Sequence, residues 1–327
     1  MLCARTAVSS CGGTPTFHDD AQLKSLMEQL GRHFALSRDD TREFSIEVDP
    51  RTVGVERLAA LAGMGFNRIS LGVQDIDPAV QKAVNRIQPC AMIETCLNDL
   101  RGVGIGAVNV DLMYGLPGDD ITGSIGDLER AIALDPSHLS WYQLTLEPNT
   151  RFERFPPALP DDDLIAGIEA AGRALLAGGM FERYEISAYA RHGFRCRHNL
   201  AYWTFSDYMG IGAGAHGKLT CNDGTIERRA KTRNPKTYIE TAGTDRAVNR
   251  ERIDDADAQT TEFLMNALRL VDGVPGSLLA ERTRALPDGF ETRLDKARRV
   301  GWLDTDPKRL CATPEGLASL NRLLEIL

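Results

Sequence analysis

From Phe44 onward, strand-like runs give way again and again to helical ones, and this alternation limits the fold more than any other feature of the chain. Residues 44–48, 68–73, 107–113, 138–146 and 183–189 are strand-length runs rich in branched and aromatic side chains. Between them, residues 55–64, 78–87 with 92–103, 124–134 and 162–177 space their apolar side chains three and four apart, with Asp, Ser or Pro at several starts. Parallel strands need long crossovers, and helices supply them. The expectation is therefore an α/β fold, either an open parallel sheet or a (β/α) barrel.

Polar residues fall at matching places along these strands. Glu47, Gln74, Asp111, Glu147 and Glu185 each lie within or at the end of a different one. A single carboxylate in such a place is ordinarily a turn former or a solvated group. Five in phase point to one shared pocket, because ligands of parallel βα folds sit at the carboxyl ends of the strands.

The 327 residues suffice for one large domain and a smaller one. We expect a (β/α) core over residues 1–220, a connecting segment over 221–255 and a mostly helical domain over 256–327. In the last, residues 260–270, 276–283 and 290–300 have helical periodicity, 302–312 suggest a hairpin, and 314–327 a final helix. That order gives a winged-helix-like shape. A net charge of −8 argues for a packing module rather than a reader of nucleic acid, and residues 228–236 are a solvated basic loop. No run of about 18 apolar residues occurs, and no signal pattern opens the chain, so no membrane span is expected and the cytoplasm is the expected compartment.

Cys11-Gly12-Gly13-Thr14-Pro15 sets two glycines before a Thr-Pro turn, where backbone can approach a ligand closely and the next helix, expected at Asp20–Phe34, could offer its first N–H groups. The turn gains meaning from the order of the motifs after it. Ser45-Ile46-Glu47-Val48-Asp49-Pro50 comes first, then Asn67-Arg68-Ile69-Ser70-Leu71-Gly72-Val73-Gln74-Asp75, Asn85-Arg86 and Asn109-Val110-Asp111-Leu112-Met113-Tyr114-Gly115-Leu116-Pro117. Over residues 11–190 this series resembles the radical S-adenosylmethionine (SAM) core of the oxygen-independent coproporphyrinogen III oxidase-like family. The resemblance implies a partial parallel (β/α) barrel, with Gly12, Gly13, Thr14, Glu47, Gln74, Arg86 and Asp111 as SAM contacts. The residue types suit that role, since a carboxylate accepts two ribose hydroxyls and an arginine grips a carboxylate with two prongs.

A second segment, Cys196-Arg197-His198-Asn199-Leu200-Ala201-Tyr202-Trp203, resembles the heme-chaperone (HemW) branch of that family. The resemblance implies heme contact by His198, Asn199, Tyr202 and Trp203, with His198 as a possible ligand of the heme iron. A neutral imidazole is a good axial ligand, and aromatic rings can cover a porphyrin face. Cys196 and His216 are alternative ligands.

The family pattern breaks at the start. Its members carry a C-x₃-C-x₂-C loop that holds a [4Fe–4S] cluster, whereas Cys3, Cys11, Cys90, Cys96, Cys196, Cys221 and Cys311 are scattered and include no such group. Residues 1–10 also lack the apolar run of a strand. The expectation is a truncated start or a cluster-free relative, with no protein-bound cluster metal site. The function expected from the resemblance is a heme chaperone that binds SAM and heme and passes heme to a client protein. The alternatives are an oxygen-independent coproporphyrinogen III oxidase and a degenerate copy with neither activity.

Overall fold

The structure is a computed structural model and describes residues 7–34, 42–83, 87–146, 148 and 150–327. The chain forms two compact units, Met1–His198 and Asn199–Leu327. The division falls well before the expected boundary at residue 220.

In chain order, the first unit contains β1 (Ala7–Ser10), α1 (Asp20–Phe34), β2 (Glu43–Val48), α2 (Val55–Gly63), β3 (Arg68–Gln74), α3 (Pro78–Ala83) and α4 (Cys90–Gly102). Then come β4 (Ala107–Tyr114), α5 (Ile121–Ala133), β5 (His138–Gln143), α6 (Arg151–Arg154), α7 (Asp162–Gly178), β6 (Glu182–Arg183) and β7 (Ala188–Ala190). The sheet order is β1-β2-β3-β4-β5-β7-β6, with the first five strands parallel. Helical crossovers between successive parallel strands meet the expectation of an α/β fold.

Two details differ from the sequence expectation. Residues 183–189 are two short strands rather than one, and β7 runs antiparallel to both β5 and β6. The Arg183 guanidinium donates to the carbonyls of Glu185 and Ile186 and so folds the chain back on itself. A hairpin of this kind can only pair antiparallel strands. A strand also precedes the glycine turn after all, since β1 pairs in parallel with β2. Four half-buried residues suffice there, because an edge strand needs only one partner and is safest when short.

Strand pleating sorts the side chains of the first unit. Ile69, Leu71 and Val73 of β3, Val110 of β4 and Leu139 of β5 are fully buried in one cluster with Leu58 and Leu61 of α2, Ile93 and Leu100 of α4, Leu128 of α5, and Ile168 and Leu176 of α7. Each such side chain contributes about 1.5–3 kcal/mol on burial. The alternate positions, Ser70, Asn109, Asp111, His138, Ser140 and Tyr142, carry polar groups on the other face.

A further helix, α8 (Arg197–Trp203), begins in the first unit and ends in the second. The second unit continues with β8 (His216–Thr220), β9 (Ile226–Lys231), α9 (Pro235–Thr241) and β10 (Val248–Ile253), the three strands forming an antiparallel sheet in the order β10-β9-β8. Residues 221–255, expected as a connection, thus belong to a folded layer. Next come α10 (Ala256–Ala267), β11 (Val274–Pro275), α11 (Ser277–Arg282), α12 (Phe290–Arg299), β12 (Arg309–Leu310), α13 (Pro314–Ala318) and α14 (Leu320–Ile326). Leu303 bridges Ala312, closing the expected hairpin, while β12 pairs with β11. The expected final helix is broken at Ser319. Among the described residues, no helix is long and apolar enough to cross a membrane.

Candidate functional site

The carboxyl ends of the parallel strands enclose a cleft of about 270 Å³ whose lining includes Gly13, Thr14, Glu47, Asp49, Gln74, Asp111 and Tyr142. Gly12 and Gly13 take φ of 92° and 77°, a pair of left-handed turns that residues with a side chain rarely adopt. The turn brings the Gly12 N–H to Glu47 Oε2 at 3.4 Å. Gln74 is aimed by a bulge: the β3–β4 register shifts between Gly72 and Gln74, and Gln74 itself has φ 72°. Such non-glycine strain is found where a side chain must be redirected toward a site. The Tyr142 hydroxyl donates to Gln74 Oε1 at 2.6 Å, which leaves the amide NH₂ as the group that can donate to a ligand.

Asp111 is held from behind. Its Oδ2 accepts from Ser70 Oγ at 2.9 Å and its Oδ1 from Asn109 Nδ2 at 2.7 Å. Gln88, fully buried, ties the wall together by donating from Nε2 to Asp49 Oδ1 at 3.2 Å and to the Gly72 carbonyl at 3.1 Å.

Three of the five in-phase polar residues, Glu47, Gln74 and Asp111, meet in this cleft. Glu185 does not: it is buried in the 184–187 turn, where it accepts from Ser187 Oγ at 3.1 Å. Glu147, Arg86 and Cys3 lie outside the described residues. The start of α1 is not a ligand cradle either. A 3₁₀ turn, Pro15–Phe17, separates it from the glycines, and Asp19 Oδ1 accepts from the Gln22 N–H at 2.8 Å while Gln22 Oε1 accepts from the Asp19 N–H at 3.1 Å. That reciprocal cap occupies the helix end.

Helix α8 carries His198, Asn199, Tyr202 and Trp203. Seven residues form a marginal helix by themselves, so tertiary contacts must hold it. The first turn is capped from a distance by Glu43, whose Oε2 accepts from the Arg197 N–H and whose Oε1 accepts from the His198 N–H, both at 3.2 Å. A carboxylate suits the positive end of a helix. The Cys196 thiol points at the same carboxylate, with Sγ 3.5 Å from Oε1. Arg68 completes the anchor, its Nε donating to Glu43 Oε2 at 2.7 Å and its Nη2 to the Phe194 carbonyl at 2.7 Å. Burial lowers the pKa of His198, opposed by the negative charge of Glu43.

Beyond His198, the Tyr202 ring lies 6.5 Å from that of Trp203 and 4.5 Å from that of Tyr208, and the Arg269 guanidinium stacks 4.4 Å above Trp203. The indole Nε1 is buried and makes no hydrogen bond among the described residues. His216, the alternative ligand, stands exposed at the start of β8. Sequence reasoning missed Glu43, Arg68, Gln88, Asn109, His138, Tyr142 and Tyr184. The two-residue period offered a signal for Asn109, His138 and Tyr142, which share the polar face with Ser70 and Asp111.

The residues present fit SAM and heme. Carboxylates and backbone donors of the cleft match a nucleoside and an amino acid, and a neutral imidazole is the kind of donor that holds heme iron. Among the described residues no three metal-binding side chains gather, so none of them is assigned to an iron–sulfur cluster. Cys11 is exposed, whereas Cys96 is buried within α4, and that burial, with Asp99, pushes its thiol up to about 12.

Residues 4–123 match the Radical SAM superfamily and residues 254–318 the HemN C-terminal domain. The fold is similar to that of coproporphyrinogen III oxidase (HemN) from Escherichia coli, a radical SAM enzyme, with a TM-score of 0.81 at 25% identity over 98% of this chain and 77% of that one. Heme chaperone HemW from Escherichia coli is 38% identical over 96% of this chain and 82% of its own length, and HemW from Mycobacterium tuberculosis is 33% identical over 85% and 72%. Likeness to the oxidase is that of a relative in fold, and the radical SAM superfamily binds SAM and a [4Fe–4S] cluster. By identity across nearly its whole length, the chain belongs to the HemW heme chaperone family within the radical SAM superfamily.

Proposed function

We propose that this protein is a heme chaperone which binds heme at α8 with His198 on the iron, holds SAM in the strand-end cleft, and passes heme to a client protein. The observation that carries the reading is the helix itself: His198 lies in its first turn, Tyr202 and Trp203 follow one turn later, and Glu43 accepts from the N–H groups of Arg197 and His198. The imidazole supplies a neutral donor, and the rings supply apolar cover for a porphyrin. Heme is cargo here, so its hold must be firm yet reversible, and a short helix anchored through its first turn suits exchange.

In the cleft, Gly12, Gly13 and Thr14 would meet the amino-acid end of SAM, while Glu47 and Asp111 accept from ribose hydroxyls and Gln74 donates. Arg86 belongs to the same proposed set. A cleft of about 270 Å³ is small among ligand pockets, so it grips part of such a molecule. When bound with a cluster, SAM is a source of radical chemistry in this superfamily. The described cysteines of this chain bring no three thiolates together.

Hemin titration tests the reading. The purified chain is expected to give a saturable Soret band, and His198→Ala to shift that band and weaken binding by about tenfold or more, since losing even a contact that supports a metal ligand costs about that much. An identical titration for the variant would move the iron ligand elsewhere.

A further inference from the structure

Behind Asp111 runs a continuous line of hydrogen bonds that the two binding sites leave unused. Asn109 donates from Nδ2 to Asp111 Oδ1 at 2.7 Å. Its Oδ1 lies 2.6 Å from His138 Nδ1, and His138 Nε2 lies 2.9 Å from the Tyr184 hydroxyl. The oxygen of that hydroxyl accepts from the Cys196 N–H at 3.4 Å, two residues ahead of His198.

Chemistry settles the direction of every link. A carboxylate only accepts, so Asn109 turns its NH₂ to Asp111 and its carbonyl oxygen to His138. Nδ1 of His138 therefore carries the proton, Nε2 accepts from Tyr184, and the Tyr184 oxygen is left to accept from Cys196. All donors point toward Asp111, and aligned bonds in a dry interior polarise one another. His138 and Tyr184 are 1% and 0% exposed. Burial, helped by the charge of Arg68, pushes the His138 pKa down to about 3, so the ring stays neutral and keeps its tautomer.

We propose that His138 and Tyr184 are positioning residues that transmit the state of the Asp111 carboxylate to the first turn of α8. The consequence for ligands rests on the reading of the two sites given above. A hydroxyl donated to Asp111 weakens that carboxylate as an acceptor for Asn109, each link behind it slackens, and the Cys196 tether of α8 loosens. SAM in the cleft thereby lowers the affinity for heme, and heme lowers that for SAM by the same factor.

Hemin affinity is measured from the Soret band with and without saturating SAM, in the full chain and in Tyr184→Phe, which removes a single oxygen from the line. SAM is expected to raise the hemin Kd by about fivefold or more in the parent, within the usual range of such coupling. In Tyr184→Phe, which cuts the tether outright, SAM binding is kept, hemin without SAM binds more weakly than in the parent, and the factor falls to near one. A factor that survives in the variant, or hemin affinity in the parent that ignores SAM, overturns the proposal.

Failure of the site assignments looks different, because then the parent itself fails to bind hemin or SAM. Amide exchange in the ligand-free chain decides the relay in that event. Tyr184→Phe and His138→Phe should each speed exchange at Cys196 about tenfold while the β4 amides keep their protection, since local opening differs between segments. His138→Gln, which can both donate and accept, should restore protection. Cys196 protection unaltered in the Phe variants, or lost only together with that of β4, sinks the relay.

Discussion

The strand-end cleft and the helix that carries His198 are built by opposite means. Glu47, Gln74 and Asp111 sit on strands whose packing is set by their own apolar neighbours, so the rigid sheet delivers them to one place. Helix α8 has no buried residue of its own, and its start is tied to Glu43 and Tyr184, which are far away in the chain. One site inherits its geometry from a core, whereas the other borrows it from a few polar anchors. Damage to an anchor should therefore disturb α8 and spare the cleft.

Glu43→Ala offers the largest test of that contrast. It leaves the Arg68 guanidinium buried without its carboxylate, and both side chains are under a tenth exposed. Breaking a buried pair in this way costs about 3–5 kcal/mol, to be read from urea unfolding. At a temperature where the variant stays folded, hemin binding should weaken while SAM binding holds. Equal loss of both would show that the two sites share one support.

Asp111→Ala acts at the other site with a smaller effect. Calorimetry is expected to show a SAM penalty of about 1–3 kcal/mol, the range for leaving a hydrogen-bonding partner unsatisfied. Ser70 and Asn109 lose an acceptor as well, but each retains the other as a partner at 2.7 Å, so unfolding stability should change less than in Glu43→Ala. SAM affinity equal to that of the parent would remove Asp111 from the cofactor's contacts.

The same contrast explains which parts of the protein were readable in sequence. Parallel strands announced themselves because Ile69, Leu71 and Val73 are buried against helices, and each crossover helix shows its own period. Residues 183–189 misled because a turn held by Arg183 has the composition of a continuous strand. β1 was missed because Ala-Val-Ser-Ser has one sizeable apolar side chain, and an edge strand needs no more. β9 reads as a basic loop, since Ile226 is its one fully buried residue and Arg228 finds its partner Glu262 only in the fold. Within the site, strand phase exposed Glu47, Gln74 and Asp111. Glu43 was invisible because the amide it caps lies 155 residues away, and no local pattern encodes such a pairing.

A last, smaller difference between the two regions concerns protons. The anchor of α8 pairs a carboxylate with a guanidinium, whereas the sheet that carries the cleft also holds two carboxyl groups that face each other, Asp75 after β3 and Asp127 on α5. Asp75 is 2% exposed, and burial together with Asp127 pushes its pKa up to about 8, while burial pushes Asp127 up to about 6. An unfolded aspartate titrates near about 3.9, so between that value and about pH 8 the folded chain holds a proton at Asp75 that the unfolded chain lacks. Stability from this group is full at low pH and is lost as pH rises toward about 8. His138 works the other way, because its folded pKa of about 3 lies below the unfolded value near about 6.5, so acid below that point favours unfolding. Asp75 is therefore seen with least interference between about pH 6.5 and 8, where the unfolding free energy from urea titration should fall with rising pH by at most about 1.4 kcal/mol per unit. Asp75→Asn should flatten that slope, because an amide has no proton to lose. A slope that persists in the variant would assign the proton to another group, because only a group whose proton binding differs between the folded and unfolded chain can produce one.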